Sequence, residues 1–302
     1  MSTSAEVAEY ISVARVVQIT RICQLAPYIV MFYDHILTFD QEVEHIWKSS
    51  RSLNTVVYVI LRYCGSVVAL LNAFAFLAQA HASNDLCRVF LLLQGWAGNL
   101  ITWLIQLILQ MRLYVLYNNS KRILLLTGGA YIAEIVVMST IVGIIDLNAD
   151  SVNEPAPGIF ICTDLSVPKI SYSFWLTPLI FESILCLLAI RIGIQRSKDH
   201  LRPALMSGTR LVNVVVMGNI MYFIGILLTC IVNAAMWQNL GSQWSEVPEG
   251  FALAIEVIAG CRLILHIRGA ASGGINDTTI SSTRGVQYRP QHLLPKSDLD
   301  ET

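Results

Sequence analysis

Residues 55–77 read TVVYVILRYCGSVVALLNAFAFL, and this stretch decides the fold class of the chain. Arg62 is the one charged residue in it. A helix needs about 20 mostly apolar residues to cross roughly 30 Å of hydrocarbon. The stretch is long enough and apolar enough to do so, and we predict a transmembrane helix over 55–77.

The same pattern recurs along the chain, which has 302 residues, 55% of them apolar and only 14% charged. This balance lies well outside that of soluble domains. The segments that qualify as spans are Thr55–Leu77, Val89–Gln110, Ile123–Ile145, Phe174–Ile192, Leu211–Ala235 and Gly250–Ile267. A seventh candidate, Val17–Leu37, contains Arg21, Gln24 and Pro27 and has the weakest pattern. The sequence predicts an all-α, polytopic membrane protein with seven transmembrane helices.

The basic residues alternate between the two sides of these helices. Fourteen of the 20 Lys and Arg residues fall in loops one, three and five and in the C-terminal tail, against four on the opposite side. Because Lys and Arg favour the cytoplasmic side, the N-terminus is predicted outside and the C-terminus inside, the topology of rhodopsin-like receptors. We divide the chain into an N-terminal segment 1–16, a seven-helix domain 17–268 and a tail 269–302. The polar composition of the tail predicts disorder.

The stretch YDHILTFDQEVEHIW at 33–47 follows the first apolar run directly. Its apolar residues recur with helical spacing at Phe39, Val43, Ile46 and Trp47. Thr38 or Asp40 is suited to cap such a helix, and Glu42 and Glu44 would lie in its first turn. We therefore expect a short amphipathic helix on the cytoplasmic membrane surface.

The chain from Tyr33 to Tyr63 resembles the N-terminal signature of a large fungal family of seven-helix membrane proteins, a domain of unknown function, with the block at about 27–65. The residues that carry the resemblance are Tyr33, Asp34, Thr38, Asp40, Glu42, Val43, Ile46, Trp47, Arg62 and Tyr63. Weaker similarity extends to RLYVLY at 112–117 and to the later helices. One departure is VMGN at 216–219, where the family often has an Arg-Asp pair. The resemblance implies a multi-pass membrane protein and transfers no activity.

Ionisable residues inside hydrocarbon are costly unless they pair or face water. Those within the predicted spans are Arg62, Glu134, Glu182, Glu256 and Arg262. One interpretation makes Arg62 and Arg262 structural partners of Asp34 and its neighbours. The other places Glu182 and Glu256 in a ligand-binding cavity reached from outside, beside Asn99 and Trp103.

Cys87 and Cys162 both lie on the predicted outer face, where an oxidising compartment permits a disulfide. We predict that they are bridged, by analogy with rhodopsin-like receptors, and two free thiols are the alternative. The other cysteines fall in helices and are expected to be small packing residues.

No catalytic, zinc or phosphate-loop motif is present, so we expect no enzymatic activity, no metal and no cofactor. No lysine in the last span could hold retinal. The chain is interpreted as a receptor-like protein that senses a small or lipid-like ligand, and a transporter or a structural membrane protein without a ligand is the alternative. Expected partners are the bilayer of the plasma membrane or an endomembrane and a cytoplasmic signalling protein at 191–210 and the tail, but no nucleic acid.

Overall fold

Seven helices in the described part of the chain are long and apolar enough to cross a bilayer, which confirms the predicted all-α, polytopic fold class. The structure, a computed structural model, describes residues 4–48, 52–78, 83–148, 150–154, 156–164, 168–199, 206–239, 244 and 246–285. The predicted outside and cytoplasmic ends of the bundle are called the outer end and the inner end.

The first span is helix α1, which runs over Ser4–Glu42 and continues into a π-helical turn at Val43–Trp47. The second span consists of α2 (Leu53–Val59), a π-helical turn (Ile60–Cys64) and α3 (Gly65–Ala78). The other spans are α4 (Asn84–Leu116), α5 (Lys121–Asn148), α6 (Ser173–Asp199), α7 (Met206–Asn239) and α8 (Glu249–Gly285). The segment between α5 and α6 contains the antiparallel strands β1 (Ser151–Val152) and β2 (Thr163–Asp164) and a 3-10 turn at Lys169–Tyr172.

The weakest predicted span forms a long helix, with Pro27 inside it. It begins at Ser4, within the segment expected to precede the membrane. Its polar residues Thr20 and Gln24 are buried, and α1 packs against α8. Polar side chains that face a neighbouring helix instead of lipid explain how a span of modest hydropathy is accommodated.

The short amphipathic helix expected at the end of the first span, with its own N-cap at Thr38 or Asp40, does not form. The chain continues without interruption from α1 through Glu42 into the π-helical turn. Thr38 caps nothing, because its hydroxyl donates to the carbonyl of Asp34 at 2.8 Å within the same helix. Glu42 is completely buried, so the helix extends here because its polar face packs against the second span.

Helix α8 is the most enclosed span. In the most apolar 18-residue stretch of α8, 61% of the residues are buried, whereas 22% are buried in the corresponding stretch of α5. It packs against α1, α4 and α7. Large apolar side chains elsewhere point outward, among them Ile36, Leu125 and Leu147. Many exposed large apolar side chains are what a bilayer would cover.

A disulfide joins Cys87 in α4 to Cys162 beside β2, with their Cα atoms 5.2 Å apart. Nearby, the backbone N–H of Asn153 donates to Oδ1 of Asn84 at 3.1 Å. These links hold the segment between α5 and α6 against the outer end of α4.

At the inner end, α6 reaches Asp199 and α7 begins at Met206, so helix covers most of the loop expected at 191–210. Residues 200–205 of that loop lie outside the described residues. Helix α8 continues to Gly285, beyond the boundary expected at 268. The rest of the tail expected to be disordered, 286–302, also lies outside the described residues.

Candidate functional site

Two polar sites occupy opposite ends of the bundle. The first, called the inner charge cluster, consists of Asp34, Thr38, Glu42, Arg62 and Arg262. Arg62 Nη1 lies 3.3 Å from Asp34 Oδ2, and Arg262 Nε lies 2.6 Å from Asp34 Oδ1. The Asp34 carboxylate therefore bridges the second span and α8. Only 1% of the Arg62 side chain is exposed, against 47% of the Arg262 side chain.

Glu42 is the second acid of the inner charge cluster. Its carboxylate accepts hydrogen bonds from Tyr63 Oη at 2.8 Å, Trp47 Nε1 at 3.0 Å and Tyr58 Oη at 3.2 Å. Arg62 Nε lies 3.7 Å from Glu42 Oε2. Three neutral donors and one cation thus compensate a fully buried carboxylate, as burial of a charge requires.

Arg62 lies in the π-helical turn of the second span. Its guanidinium donates to Thr38 Oγ1 as well as to Asp34, and the Ser66 hydroxyl donates to the Arg62 carbonyl at 2.8 Å. Single π-helical turns inside α-helices are frequent at functional sites. One interpretation of the sequence paired Arg62 with Asp34 and its neighbours, but it placed Glu42 on the membrane surface and not in the core. The spacing of Asp34, Thr38 and Glu42, four residues apart each time, would have indicated one shared helix face.

Arg268 of α8 ties the first loop to the bundle. Its guanidinium donates to the His45 carbonyl at 2.8 Å and to the hydroxyls of Ser52 and Thr55, both at 2.6 Å. The inner ends of α1, the second span and α8 are therefore joined twice, through Asp34 and through Arg268.

The second polar site is a cavity of about 130 Å³ toward the outer end of the bundle, called the outer cavity. Every one of the seven spans contributes to its wall. Its charged and amide lining residues are Asn72, Arg88, Gln94, Asn99, Asp146, Asp164, Glu246, Glu249 and Glu256. Concave sites with apolar walls and a few convergent polar groups are the usual form of small-molecule sites.

Glu256 and Asn99 both line the outer cavity. Thr102 Oγ1 donates to Glu256 Oε2 at 2.9 Å. Asn99 is 1% exposed, and both of its amide atoms have no hydrogen-bond partner in the described structure. A buried amide without partners is unusual in a folded protein, so this position suits a polar group of a ligand.

Glu246 and Glu249 form an acidic pair at the start of α8. Gln94 Nε2 donates to Glu246 Oε2 at 2.8 Å and to Glu249 Oε2 at 3.3 Å, and Gln24 Nε2 donates to the Glu246 carbonyl. Burial raises the pKa of Glu246 well above that of an ordinary glutamate, and the neighbouring Glu249 carboxyl raises it further. Sequence reasoning missed this pair, because two acids near a helix start resemble an ordinary solvated turn.

Asp164 of β2 brings a further carboxylate to the cavity. Its Oδ1 accepts from the Ser151 hydroxyl at 2.6 Å. Burial raises the pKa of Asp164, although the hydrogen bond from Ser151 and the nearby Arg88 act in the opposite direction. The hairpin thus contributes an acidic residue to the cavity lining that the sequence did not indicate.

Three aromatic rings form the wall of the outer cavity between α6 and α7. The Phe174 and Trp175 ring centroids lie 5.2 Å apart, and Phe174 stacks on Trp237 with centroids 6.3 Å apart and 16° between the planes. Trp175 meets Trp237 edge-on at 6.1 Å. Trp175 Nε1 has no hydrogen-bond partner in the described structure.

Two of the residues expected to bind ligand lie away from the cavity lining. Trp103 does not line it, and its carbonyl accepts from Tyr131 Oη at 2.9 Å. Glu182 is also outside the lining, near Glu134, and its Oε2 has no hydrogen-bond partner in the described structure. Glu134 Oε1 accepts from Gln106 Nε2 at 2.7 Å. Of the four residues expected to bind ligand, Glu256 and Asn99 line the outer cavity, and Glu182 and Trp103 do not.

The described residues contain no group of three or more His, Cys, Asp or Glu side chains arranged to hold a metal ion. The fold and its two polar sites define a multi-pass integral membrane protein with a cavity toward one end and a buried charge cluster toward the other.

Residues 22–67 match the model of a family of unknown function, DUF6533. Asp34, Thr38, Glu42 and Arg62 all lie inside that match, so four of the five residues of the inner charge cluster belong to the matched block. No curated protein matches the chain.

Proposed function

We propose that this protein is a receptor-like membrane protein that binds a small molecule in the outer cavity and transmits binding to its inner end through α8. The outer cavity is the observation that carries the proposal. All seven spans line it, and its lining includes Glu256 and Asn99, a buried amide without hydrogen-bond partners in the described structure. A ligand there would contact every helix of the bundle, which is the arrangement that best supports a change in helix packing.

Helix α8 links the two polar sites. Glu256 and Arg262 both belong to α8. Glu256 lines the outer cavity, and Arg262 pairs with Asp34 of α1. Six residues of α-helix correspond to about 9 Å along the axis. A ligand that displaces α8 at Glu256 would therefore change the geometry at Arg262 directly.

The inner charge cluster has two unequal halves that suit it to such a change. Arg62 is buried between Asp34 and Glu42, so this half is costly to separate. Arg262 is half exposed, so it can leave Asp34 without burying an unpaired charge. Release of Arg262 would alter the inner surface available to a cytoplasmic partner.

A cavity-filling substitution tests ligand binding. Gly98 lines the outer cavity, and a Cβ added there meets no atom within 4 Å. Gly98→Leu should therefore fill the cavity without distorting α4. Gly129→Leu is the matched control, because a Cβ at Gly129 also meets nothing within 4 Å and this residue lies outside the lining.

The measurement is the thermal unfolding temperature of the full chain in dodecyl maltoside, with and without each of a panel of small amphipathic compounds. The panel includes positively charged, neutral and negatively charged compounds. Compounds that bind the cavity should stabilise the wild type and Gly129→Leu but not Gly98→Leu. The proposal would be refuted if no compound stabilised the wild type, or if every stabilising compound acted equally on Gly98→Leu.

A further inference from the structure

We infer that the outer cavity takes an organic ammonium ion, held between carboxylates and aromatic rings. This inference rests on the proposed ligand-binding function and adds the chemical class of the ligand. An ammonium group occurs both on free amines and on lipid headgroups, and the charge and the ring contacts are common to the two.

The charged groups that line the cavity are strongly unbalanced. Five are acidic, namely Asp146, Asp164, Glu246, Glu249 and Glu256, and one is basic, Arg88. The Arg88 Nη2 is directed to the backbone carbonyl of Asp146, at 3.5 Å. Every ion pair within 4.0 Å between described side chains belongs to the inner end, so no described side chain forms such a pair with the cavity acids.

Acids alone would not indicate a ligand, but Asn99 provides an independent observation. It is buried, it lines the cavity, and neither its Nδ2 nor its Oδ1 has a hydrogen-bond partner in the described structure. A buried amide of this kind is normally paired with protein or bound solvent. A ligand with a hydroxyl or an N–H beside its cationic centre would supply the missing partner.

The aromatic rings favour an organic cation over a metal ion. Phe174, Trp175 and Trp237 contribute a ring surface to the same cavity that holds the carboxylates. Alkylated ammonium groups bind to the negative faces of such rings, and tryptophan gives the strongest attraction. Hard metal ions instead require several oxygen ligands at short distance.

Other ligand charges fit the cavity less well. An anion would meet five carboxyl groups and a single guanidinium. A neutral ligand would offer these carboxyl groups no counter-charge, and burial would then keep Glu246 and Asp164 toward their protonated form. An organic cation removes both difficulties, because it supplies charge and apolar surface together.

The test compares choline with 3,3-dimethylbutan-1-ol, its neutral isostere in which carbon replaces the ammonium nitrogen. Binding to the full chain is followed by tryptophan emission in dodecyl maltoside, a detergent without an ammonium group. We expect choline to bind at least about tenfold more tightly than the alcohol. A third probe, dihexanoylphosphatidylcholine, separates the two sources, because tighter binding than choline assigns a lipid headgroup and weaker binding assigns a free amine.

Variants locate the charge that matters. Glu256→Gln should lower choline affinity about tenfold and leave the alcohol unaffected. Trp237→Leu should also weaken choline more than the alcohol. Asp85→Asn is the control, because Asp85 is exposed at the start of α4 and does not line the cavity, so both affinities should stay within about twofold of wild type.

The wild-type comparison decides the inference even if a variant fails to fold. Equal binding of choline and the alcohol, preference for the alcohol, or no binding of either ammonium probe would overturn it. In each of these cases the proposed function would still stand if panel compounds stabilised the wild type and not Gly98→Leu. The two failures are therefore distinguishable.

Discussion

Removing the Arg62 guanidinium is the sharpest perturbation of the inner charge cluster. Arg62→Met keeps much of the aliphatic volume and deletes the cation. Asp34 would retain Arg262, whose Nε lies 2.6 Å away. Glu42 would lose its nearest cation and keep only neutral donors, while remaining completely buried.

The expected loss follows from this asymmetry. Breaking a buried ion pair by removing one partner costs about 3–5 kcal/mol, because the other charge stays in a medium of low polarity. We expect Arg62→Met to lose about that much free energy of unfolding. Adding Glu42→Gln should recover at least about 1 kcal/mol, since the uncompensated charge is then removed.

The assay is reversible unfolding in mixed micelles titrated with sodium dodecyl sulfate and followed by far-ultraviolet circular dichroism. Arg122→Met is the control, because Arg122 is exposed at the inner end of α5 and should change the free energy of unfolding by under about 0.5 kcal/mol. A loss below about 1 kcal/mol for Arg62→Met, or no recovery with Glu42→Gln, would refute the reasoning.

Three further predictions concern packing, pH and the disulfide. A Cβ at Gly250 would lie 2.6 Å from the Oε1 atom and 3.0 Å from the Cα atom of Gln24. Gly250→Ala should therefore lower the free energy of unfolding by about 1–3 kcal/mol in the same assay. Gly225→Ala is the control and should cost less, because the nearest atom to its Cβ lies 3.8 Å away. The raised pKa of Glu246 means that the folded state holds this proton more tightly than the unfolded chain, where the pKa is about 4.3. Stability should therefore fall as pH rises above that value until Glu246 is ionised, and Glu246→Gln should reduce the decline measured between pH 5 and pH 8; an unchanged slope would contradict the assignment. Cys87→Ser should lower the free energy of unfolding by about 2–4 kcal/mol, and reduction of the wild type should do the same. Labelling of Cys87 by an impermeant maleimide without prior reduction would contradict a bridge on the outer face.

The spans were predictable from the sequence because each contains about 20 mostly apolar residues, which is the length that a helix needs to cross a bilayer. Even the weakest predicted span, Val17–Leu37, which contains Arg21 and Pro27, lies in a helix long and apolar enough to cross a bilayer. The stretch after it was misinterpreted for a physical reason. Whether Glu42 lies in solvent or is buried depends on Tyr58, Arg62 and Tyr63 of the next span, which only the packed structure places against it.

The candidate site was predictable in part. The sequence offered the ion pairs of Asp34 as one of two interpretations, and the bridge between Cys87 and Cys162 by analogy, with two free thiols as the alternative. The structure contains the ion pairs and the bridge. The rotation of each helix about its axis does not follow, since one residue turns the helix by about 100°. That rotation puts Glu256 in the cavity lining and Glu182 outside it.

The most direct test of the account is whether the inner charge cluster and the outer cavity are energetically coupled. The affinity of a compound that passes the cavity-filling test should be measured for the wild type, Arg262→Gln and the exposed inner-end control Lys121→Gln. Coupling between two sites is reciprocal, so Arg262→Gln should change the affinity at the cavity by at least about fivefold although Arg262 does not line it. An affinity for Arg262→Gln that equals that of the wild type and of Lys121→Gln would contradict transmission through α8.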